Sequence, residues 1–187
     1  MSINTLDRFK TKYDEYIHDS VILQNAGGGG LLNEYRFFTA GRGNRGANLC
    51  NLDSAGMISR GEAMKVYGIF FTFMPATTPA DLTLFSDVLM YEFLYKGKTQ
   101  HYMPVRFINS GRGLTANLAP IGAVADYTRL GVPTRDARGA SRWTSPFTIL
   151  GEEEFSVVLH IDTVAVPPVA AVTVWCHLVT EFWHSLA

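Results

Sequence analysis

The clearest pattern of hydrophobic and polar positions in this chain lies between residues 88 and 108. Two runs in that segment place an apolar or aromatic side chain at every second position. The alternating residues are Tyr91, Phe93, Tyr95, His101, Met103, Val105 and Phe107. The runs are separated by Lys96, Gly97 and Lys98, and glycine tolerates the positive φ that a tight hairpin turn requires. The pattern therefore predicts a β-hairpin.

Alternation of the same kind predicts that most of the remaining chain forms strands. The predicted strands are residues 35–39, 65–74, 155–162 and 169–182. Residues 65–74 are apolar on both faces, which predicts a strand that is covered on both sides. Long connections separate several of these strands and favour Greek-key crossings over a simple meander. The predicted fold class is mainly β, an antiparallel β-sandwich of the jelly-roll type.

The start of the chain shows a different pattern. Asn4 is a suitable helix cap, and Asp7 lies where a helix dipole favours a negative charge. Apolar side chains then recur at helical spacing, and they are Leu6, Phe9, Tyr13, Tyr16 and Ile17. This spacing predicts a short amphipathic helix that ends near His18.

A run of glycine at residues 27–30 follows, and consecutive glycines impose almost no conformational preference. Two parts are therefore predicted: an N-terminal helical arm with a glycine linker at residues 1–30, and a β-sandwich body at residues 31–187. An isolated helix of about 15 residues is marginal in water, so the arm needs a packing partner. We expect that partner to be a neighbouring subunit. The alternative is that the arm folds back and covers its own sheet.

The composition fits a folded globular protein. The 187 residues are 47% hydrophobic, and 16 basic against 17 acidic side chains leave a net charge of -1, which argues against a protein that acts mainly by binding phosphates. Cys50 and Cys176 are too few for a disulfide framework and lack metal-site spacing. Residues 1–20 are charged where a leader would be apolar, and prolines break the longest apolar run, residues 164–179. We therefore expect a soluble protein with neither a cleaved leader nor a transmembrane segment.

Residues 109–143 form a long segment rich in glycine, proline and arginine, as binding or contact loops often are. Lysine is absent between residues 106 and 142, where the arginines are Arg106, Arg112, Arg129, Arg135, Arg138 and Arg142. Arginine suits bidentate contacts with carboxylates and phosphates at interfaces. A protein interface is the favoured interpretation of this segment. Direct nucleic-acid binding and simple exposure to solvent are the alternatives.

No motif of catalysis stands out. Residues 41–46 read G-x-G-x-x-G, but no βαβ alternation surrounds them, so an exposed loop is favoured over a dinucleotide site. A glycine–arginine loop that contacts a phosphate or a carboxylate remains an alternative. His160 and Asp162 share one strand face, as a metal or acid–base pair would, but no third ligand is identifiable and a solvated face is favoured. We predict neither an enzyme nor a cofactor.

An amphipathic arm, a glycine linker, a strand-rich body and long arginine-bearing loops together resemble the single jelly-roll coat proteins of icosahedral viruses, phages included. The resemblance concerns layout and rests on no signature motif. It implies a capsid subunit whose partners are copies of itself and neighbouring capsid proteins. It also implies a location in the virion, after a soluble stage in the host cytoplasm. The candidate assembly residues are Leu6, Phe9, Tyr13, Ile17, Arg112, Arg129, Arg135, Arg138 and Arg142.

The near-neutral arm departs from the strongly basic arms of many small RNA-virus coats. A coat that neutralised its genome directly would need many more basic side chains. We therefore expect weak contact with nucleic acid, and a shell over a membrane or a separately packaged genome. Two other classes of function remain as alternatives. One is a carbohydrate- or receptor-binding sandwich, such as a spike or fibre head. The other is a small jelly-roll enzyme of the cupin type, although the histidines lack the cupin pattern.

Overall fold

The computed structural model of the chain describes residues 9–24, 32–41, 50–74, 88–105, 114–115, 128–130, 143, 145–161 and 171–185. Within these ranges the chain forms ten β-strands. They are β1 (Phe9–Leu23), β2 (Glu34–Phe37), β3 (Glu62–Met74), β4 (Leu89–Tyr95), β5 (Lys98–Pro104), β6 (Leu114–Thr115), β7 (Thr128–Leu130), β8 (Phe147–Leu150), β9 (Phe155–Ile161) and β10 (Val172–Ser185).

The strands form two antiparallel sheets. The larger sheet has the order β1-β10-β3-β7-β6, with β8 also paired to β3, and the smaller sheet has the order β2-β9-β4-β5. Because β10 occupies one edge of β3, both β7 and β8 lie along its other edge. β8 pairs with the first half of β3 and β7 with the second half. This arrangement confirms the prediction of a mainly β, antiparallel fold.

The pairings are nested from the ends of the chain towards its middle. β1 pairs with β10, β2 with β9, β3 with β8, and β4 with β5. The pair β3–β10 then joins β1–β10 to β3–β8 in the larger sheet, and the pair β4–β9 joins β2–β9 to β4–β5 in the smaller sheet. β6 and β7 are the only described strands outside this nest, and they fall in the connection between β5 and β8.

The core lies between the two sheets. Phe71 on β3 of the larger sheet is fully buried, and its ring centroid lies 5.9 Å from that of Phe37 on β2 and 6.0 Å from that of Tyr91 on β4. Both partners belong to the smaller sheet, so these rings join the two layers. Alternate side chains of β10 complete the layer from the larger sheet, namely Val172, Val174, Cys176, Leu178 and Phe182. The sheets therefore pack face to face in a sandwich-like arrangement.

A bulge in β3 changes which of its side chains face inward. Val66 lies opposite Thr180 and Gly68 opposite Val179, so Tyr67 is an extra residue on β3. Val66 is buried on one side of the bulge, and Ile69 is buried on the other. The prediction of a strand covered on both sides was too strong, because the outward side chains of Phe70 and Thr72, beyond the bulge, are only half-buried.

The predicted N-terminal helix is wrong over residues 9–18, which belong to strand β1. Phe9, Tyr13 and Ile17 are four residues apart, a spacing that fits one face of a helix and equally one face of a strand. The sequence beyond Ile17 continues the two-residue period, and Ile17 and Leu23 are buried in the core. Pairing along the length of β10 supplies backbone hydrogen bonds that a short isolated helix could not match. Residues 1–8 and the glycine run lie outside the described residues.

The carboxylate of Asp19 fixes β1 to the chain that follows β2. It is fully buried and accepts hydrogen bonds from the backbone N–H of Ser20, at 2.8 Å, and of Phe38. Phe38 has a φ of 62°, which is costly for a bulky residue. The buried acceptor offsets that cost because it satisfies the Phe38 N–H where the chain turns away from the sheet.

The predicted hairpin at residues 88–108 is confirmed as β4 and β5. Its turn places Lys96 at φ 50° and Gly97 at φ 68°, the pair of positive values that a tight hairpin turn requires. The ammonium of Lys96 lies 2.6 Å from Glu153, whose carboxylate also accepts the Leu150 N–H at 2.8 Å. The turn is thereby held against the β8–β9 connection.

Candidate functional site

A line of polar side chains crosses the outer face of the smaller sheet. His160 on β9 lies between β2 and β4, and its Nε2 is 2.9 Å from Glu92 Oε2 and its Nδ1 is 3.7 Å from Glu34 Oε1. The Thr99 hydroxyl donates to Glu92 and lowers the pKa of that carboxyl below its ordinary value. The hydrogen bond from His160 acts in the same direction, while burial opposes both. Glu92 is therefore the anionic centre of this line.

Tyr102 on β5 stands beside this line. Its ring meets the His160 ring edge-on, with centroids 5.6 Å apart, and the residue is 57% exposed. An exposed aromatic ring next to a carboxylate and an imidazole can bind a polar ligand that also has an apolar face. Among the described residues, no group of three histidine, cysteine or acidic side chains is arranged so that it could hold a metal ion.

A second cluster consists of rings at the sandwich edge where β5 approaches β8. His101 stacks on Trp143 at 4.3 Å between centroids and meets Phe147 of β8 edge-on at 5.4 Å. The backbone N–H of Trp143 donates to the Tyr67 carbonyl at 2.6 Å, which fixes Trp143 against β3. His101 Nε2 is buried and has no hydrogen-bond partner among the described residues. Burial lowers the pKa of His101 below its ordinary value, because the charged imidazolium loses its hydration there.

Rings also line the outer face of the larger sheet. His177 on β10 stacks on Phe70 of β3 at 4.4 Å between centroids, and its Nε2 is 3.1 Å from the Thr72 hydroxyl. His18 on β1 approaches the rings of Trp175 and His177 at 5.6 and 6.1 Å. These cross-strand contacts hold three strands in register, and we interpret them as packing on the sheet surface.

The sequence-predicted assembly residues fall in different places. Ile17 is buried in the core of its own chain. Phe9 and Tyr13 are positions of β1, and Arg129 is a position of β7, opposite Thr72 of β3. Leu6, Arg112, Arg135, Arg138 and Arg142 lie outside the described residues, as do residues 42–46 of the glycine–arginine motif. The described residues do not bring these positions together, so a shared assembly interface stays a prediction.

The sequence interpretation paired His160 with Asp162, whereas the described partners of His160 are Glu92 and Glu34 on neighbouring strands. Asp162 lies outside the described residues. No local signal could have named Glu92, because the contact depends on β9 pairing with β4. The sequence interpretation did favour a solvated strand face for His160, and the structure agrees that its side chain lies on the outer face of the smaller sheet.

Comparisons with models of protein families, with curated proteins and with solved structures found no match to this chain. In the described ranges, no helix has the length and apolar character needed to cross a bilayer. The class of protein therefore rests on the sandwich-like arrangement of the two antiparallel sheets and on the surfaces described above.

Proposed function

We propose that this chain is a jelly-roll coat subunit of an icosahedral virus, most simply a phage. Its partners are copies of itself and neighbouring capsid proteins, and its place is the virion. It builds the shell and catalyses no reaction. The long connection between β5 and β8, with Arg112, Arg129, Arg135, Arg138 and Arg142, is the proposed contact region between subunits.

The nested strand pairing is the observation that carries this proposal. A jelly roll has eight strands in two sheets with two Greek keys. It can be described as one long antiparallel hairpin that is rolled up, so its first strand pairs with its last, its second with its second-last, and so on inward. Eight of the ten strands here pair in that way, first with last and inward to the β4–β5 hairpin. β6 and β7 extend the edge of the larger sheet from within the arginine-rich connection. Jelly rolls occur in viral capsids, in lectins and in cupins, so the pairing supports the proposed class together with its two alternatives.

Three further features favour a coat protein over the alternatives. The connection between β5 and β8 contains arginine and no lysine, as suits contacts with carboxylates at protein interfaces. The balanced charge suits subunits that must pack side by side without strong mutual repulsion. The described residues offer no cluster of metal ligands in support of a cupin-type enzyme.

Assembly of the full-length chain tests the proposal. We expect size-exclusion chromatography with light scattering to show large oligomers, and negative-stain electron microscopy to show closed particles of uniform size. The informative variants replace Arg129, Arg135, Arg138 and Arg142 together, either by lysine or by alanine. Lysine keeps the charge and loses the bidentate geometry, so both variants should fail to assemble if the arginines make protein contacts. A wild-type chain that stays monomeric over a wide range of concentration and salt would contradict the proposal.

Binding to nucleic acid provides a second measurement. A subunit whose arginines serve protein contacts should retain DNA or RNA only weakly on filters at physiological ionic strength. Tight retention that is lost steeply on adding salt would favour a genome-binding role for the same arginines.

A carbohydrate- or receptor-binding sandwich is the second candidate function, and the exposed Tyr102 ring beside Glu92 and His160 favours it. Sugars stack on aromatic rings while carboxylates accept hydrogen bonds from their hydroxyls. In a screen against immobilised glycans, Tyr102→Ala should abolish binding and Tyr102→Phe should retain it, because the ring is kept. Absence of any glycan binding by the wild-type chain would remove this candidate.

A further inference from the structure

β1 is an edge strand of the larger sheet, and part of its outer edge has no partner strand in the described part of the chain. Asn51 satisfies the two backbone groups of His18: the Asn51 N–H donates to the His18 carbonyl at 3.2 Å, and Asn51 Oδ1 accepts from the His18 N–H at 2.7 Å. An isolated bridge between Asp19 and Cys50 accompanies this contact. On the N-terminal side of it, the described residues place no strand beside residues 12–16.

The contact at His18 reveals which backbone groups of β1 face outward. In an antiparallel ladder, the N–H and C=O of one residue point to the same neighbour, and those of the next residue point the opposite way. Since His18 presents both groups to the outer edge, the residues two and four positions earlier do the same. The N–H and C=O groups of Tyr16, Asp14 and Lys12 therefore point to the outer edge, while those of the residues between them point to β10.

We propose that this edge pairs with the same edge of a second copy of the chain, antiparallel and centred on Tyr13. In such a ladder, each residue with outward-facing N–H and C=O groups must lie opposite a residue of the same kind in the second copy. Ladders whose twofold axis passes through Lys12, through Tyr13 or through Asp14 meet this condition. Centring on Lys12 sets that lysine against itself, and centring on Asp14 sets two carboxylates against each other. Centring on Tyr13 sets Lys12 of each copy against Asp14 of the other.

Of these three registers, only the one centred on Tyr13 sets Lys12 against Asp14 and places no charged side chain against its own copy. Its two Lys12–Asp14 contacts are equivalent by twofold symmetry. Opposite charges directly across a ladder stabilise it, and like charges destabilise it. Lysine on an edge strand ordinarily discourages pairing, but here a carboxylate lies where an antiparallel copy would bring the lysine. The larger sheets of two copies would then form one continuous sheet across the twofold axis, which is an isologous contact.

A cysteine on the twofold axis gives a direct test. Tyr13 would face Tyr13 of the second copy in a non-hydrogen-bonded pair, where Cα atoms lie about 4.5 Å apart and a disulfide can form. Full-length Tyr13→Cys treated with oxidised glutathione should become a covalent dimer on non-reducing gels. Thr11→Cys is the matched control, because two Thr11 positions would lie roughly 14 Å apart in this register, too far for a disulfide. The native Cys50 and Cys176 are fully buried and should not contribute.

Charge reversal gives an independent test that does not depend on cysteine. Lys12→Asp alone and Asp14→Lys alone should each weaken self-association by about tenfold, since two attractive pairs become repulsive. The double variant Lys12→Asp with Asp14→Lys should restore it, and Lys98→Asp on β5 should leave it unchanged. Sedimentation equilibrium measures all of these constants. Additive weakening in the double variant, or covalent dimers from both cysteine variants alike, would overturn this register. Absence of a cross-link in Tyr13→Cys together with no effect of charge reversal would overturn the pairing and favour a segment of the same chain along this edge.

This inference does not depend on the capsid proposal. A dimer with the expected disulfide and no particles would support the pairing and contradict the shell. Particles from the full-length chain, with no cross-link in Tyr13→Cys and no effect of charge reversal, would support the shell and contradict the pairing.

Discussion

Phe71 is the side chain whose removal tests the sandwich core most directly. It is fully buried on β3 and contacts the rings of Phe37 and Tyr91 on the other sheet. Phe71→Ala removes the central ring of this group and leaves a cavity between two layers that are both anchored by long antiparallel pairings. We expect the free energy of unfolding to fall by about 3–5 kcal/mol, the usual cost of truncating a buried phenylalanine.

The two ring contacts of Phe71 favour a loss of unfolding free energy in the upper part of this range. Aromatic pairs contribute roughly 0.5–1.5 kcal/mol beyond the area that they bury, and Phe71 takes part in two of them. In a chain of this length each kcal/mol shifts Tm by about 2–4 °C, so the variant should melt roughly 6–20 °C lower.

The adjacent residue supplies a control of the same type. Phe70 lies on the outer face of β3, half-buried and stacked on His177. Phe70→Ala should cost only about 1–2 kcal/mol, because the site is open to solvent and no closed cavity remains. Denaturant unfolding followed by tryptophan fluorescence measures both, at one fixed protein concentration since self-association shifts the apparent stability. Equal costs for the two variants, or an unchanged melting temperature for Phe71→Ala, would refute the account of the core.

Two further predictions concern buried polar groups. Asp19→Ala should lower the free energy of unfolding by about 2–4 kcal/mol, since it leaves the Ser20 and Phe38 N–H groups unsatisfied, and Asp19→Asn should cost less because one carbonyl acceptor remains. Burial lowers the pKa of His101, so the folded protein binds a proton at this side chain less readily than the unfolded chain does. The free energy of unfolding is therefore unaffected by this group above its unfolded pKa of about 6.5, and it decreases as pH falls from there towards the folded pKa. Wild-type stability should therefore drop between neutral and mildly acidic pH more than that of His101→Phe, and parallel pH profiles would contradict this.

The parts of the fold that the sequence predicted well are those with local signals. The β4–β5 hairpin follows from two alternating runs around Lys96 and Gly97, and its turn has the positive φ values that the glycine suggested. β9 and β10 follow from alternation alone. In each case the two-residue period was sampled over enough positions to exclude a helix.

The errors arose where local spacing was ambiguous or where distant pairing decided the outcome. Phe9, Tyr13 and Ile17 fit a helix and a strand equally, and the decision lies with β10, a partner from the other end of the chain. The bulge at Tyr67 also depends on that partner, because it is defined only by the register with β10. Local propensity could not anticipate either.

The candidate sites show the same limit. The sequence interpretation favoured a solvated strand face for His160, but the contact of His160 with Glu92 follows from the order β9-β4-β5. The stack of His101 on Trp143 joins β5 to a residue that precedes β8, across the long connection that no periodicity describes. Single-sequence reasoning can therefore assign a side chain to one face of a strand, but only the fold shows which partners it contacts.

The position of β1 changes how the N-terminal segment could serve assembly. A free helical arm would swing at the glycine run at little energetic cost, whereas β1 contributes Ile17 and Leu23 to the core and Asp19 to the turn at Phe38. Withdrawing two buried aliphatic side chains alone costs about 3–6 kcal/mol, before the β1–β10 ladder is counted. Exchange of the whole segment between subunits is therefore disfavoured unless a neighbour offers an equivalent site. The proposed self-association through the outer edge of β1 would require no such withdrawal, because the strand would stay in its own sheet while its outward-facing backbone groups engage a second copy.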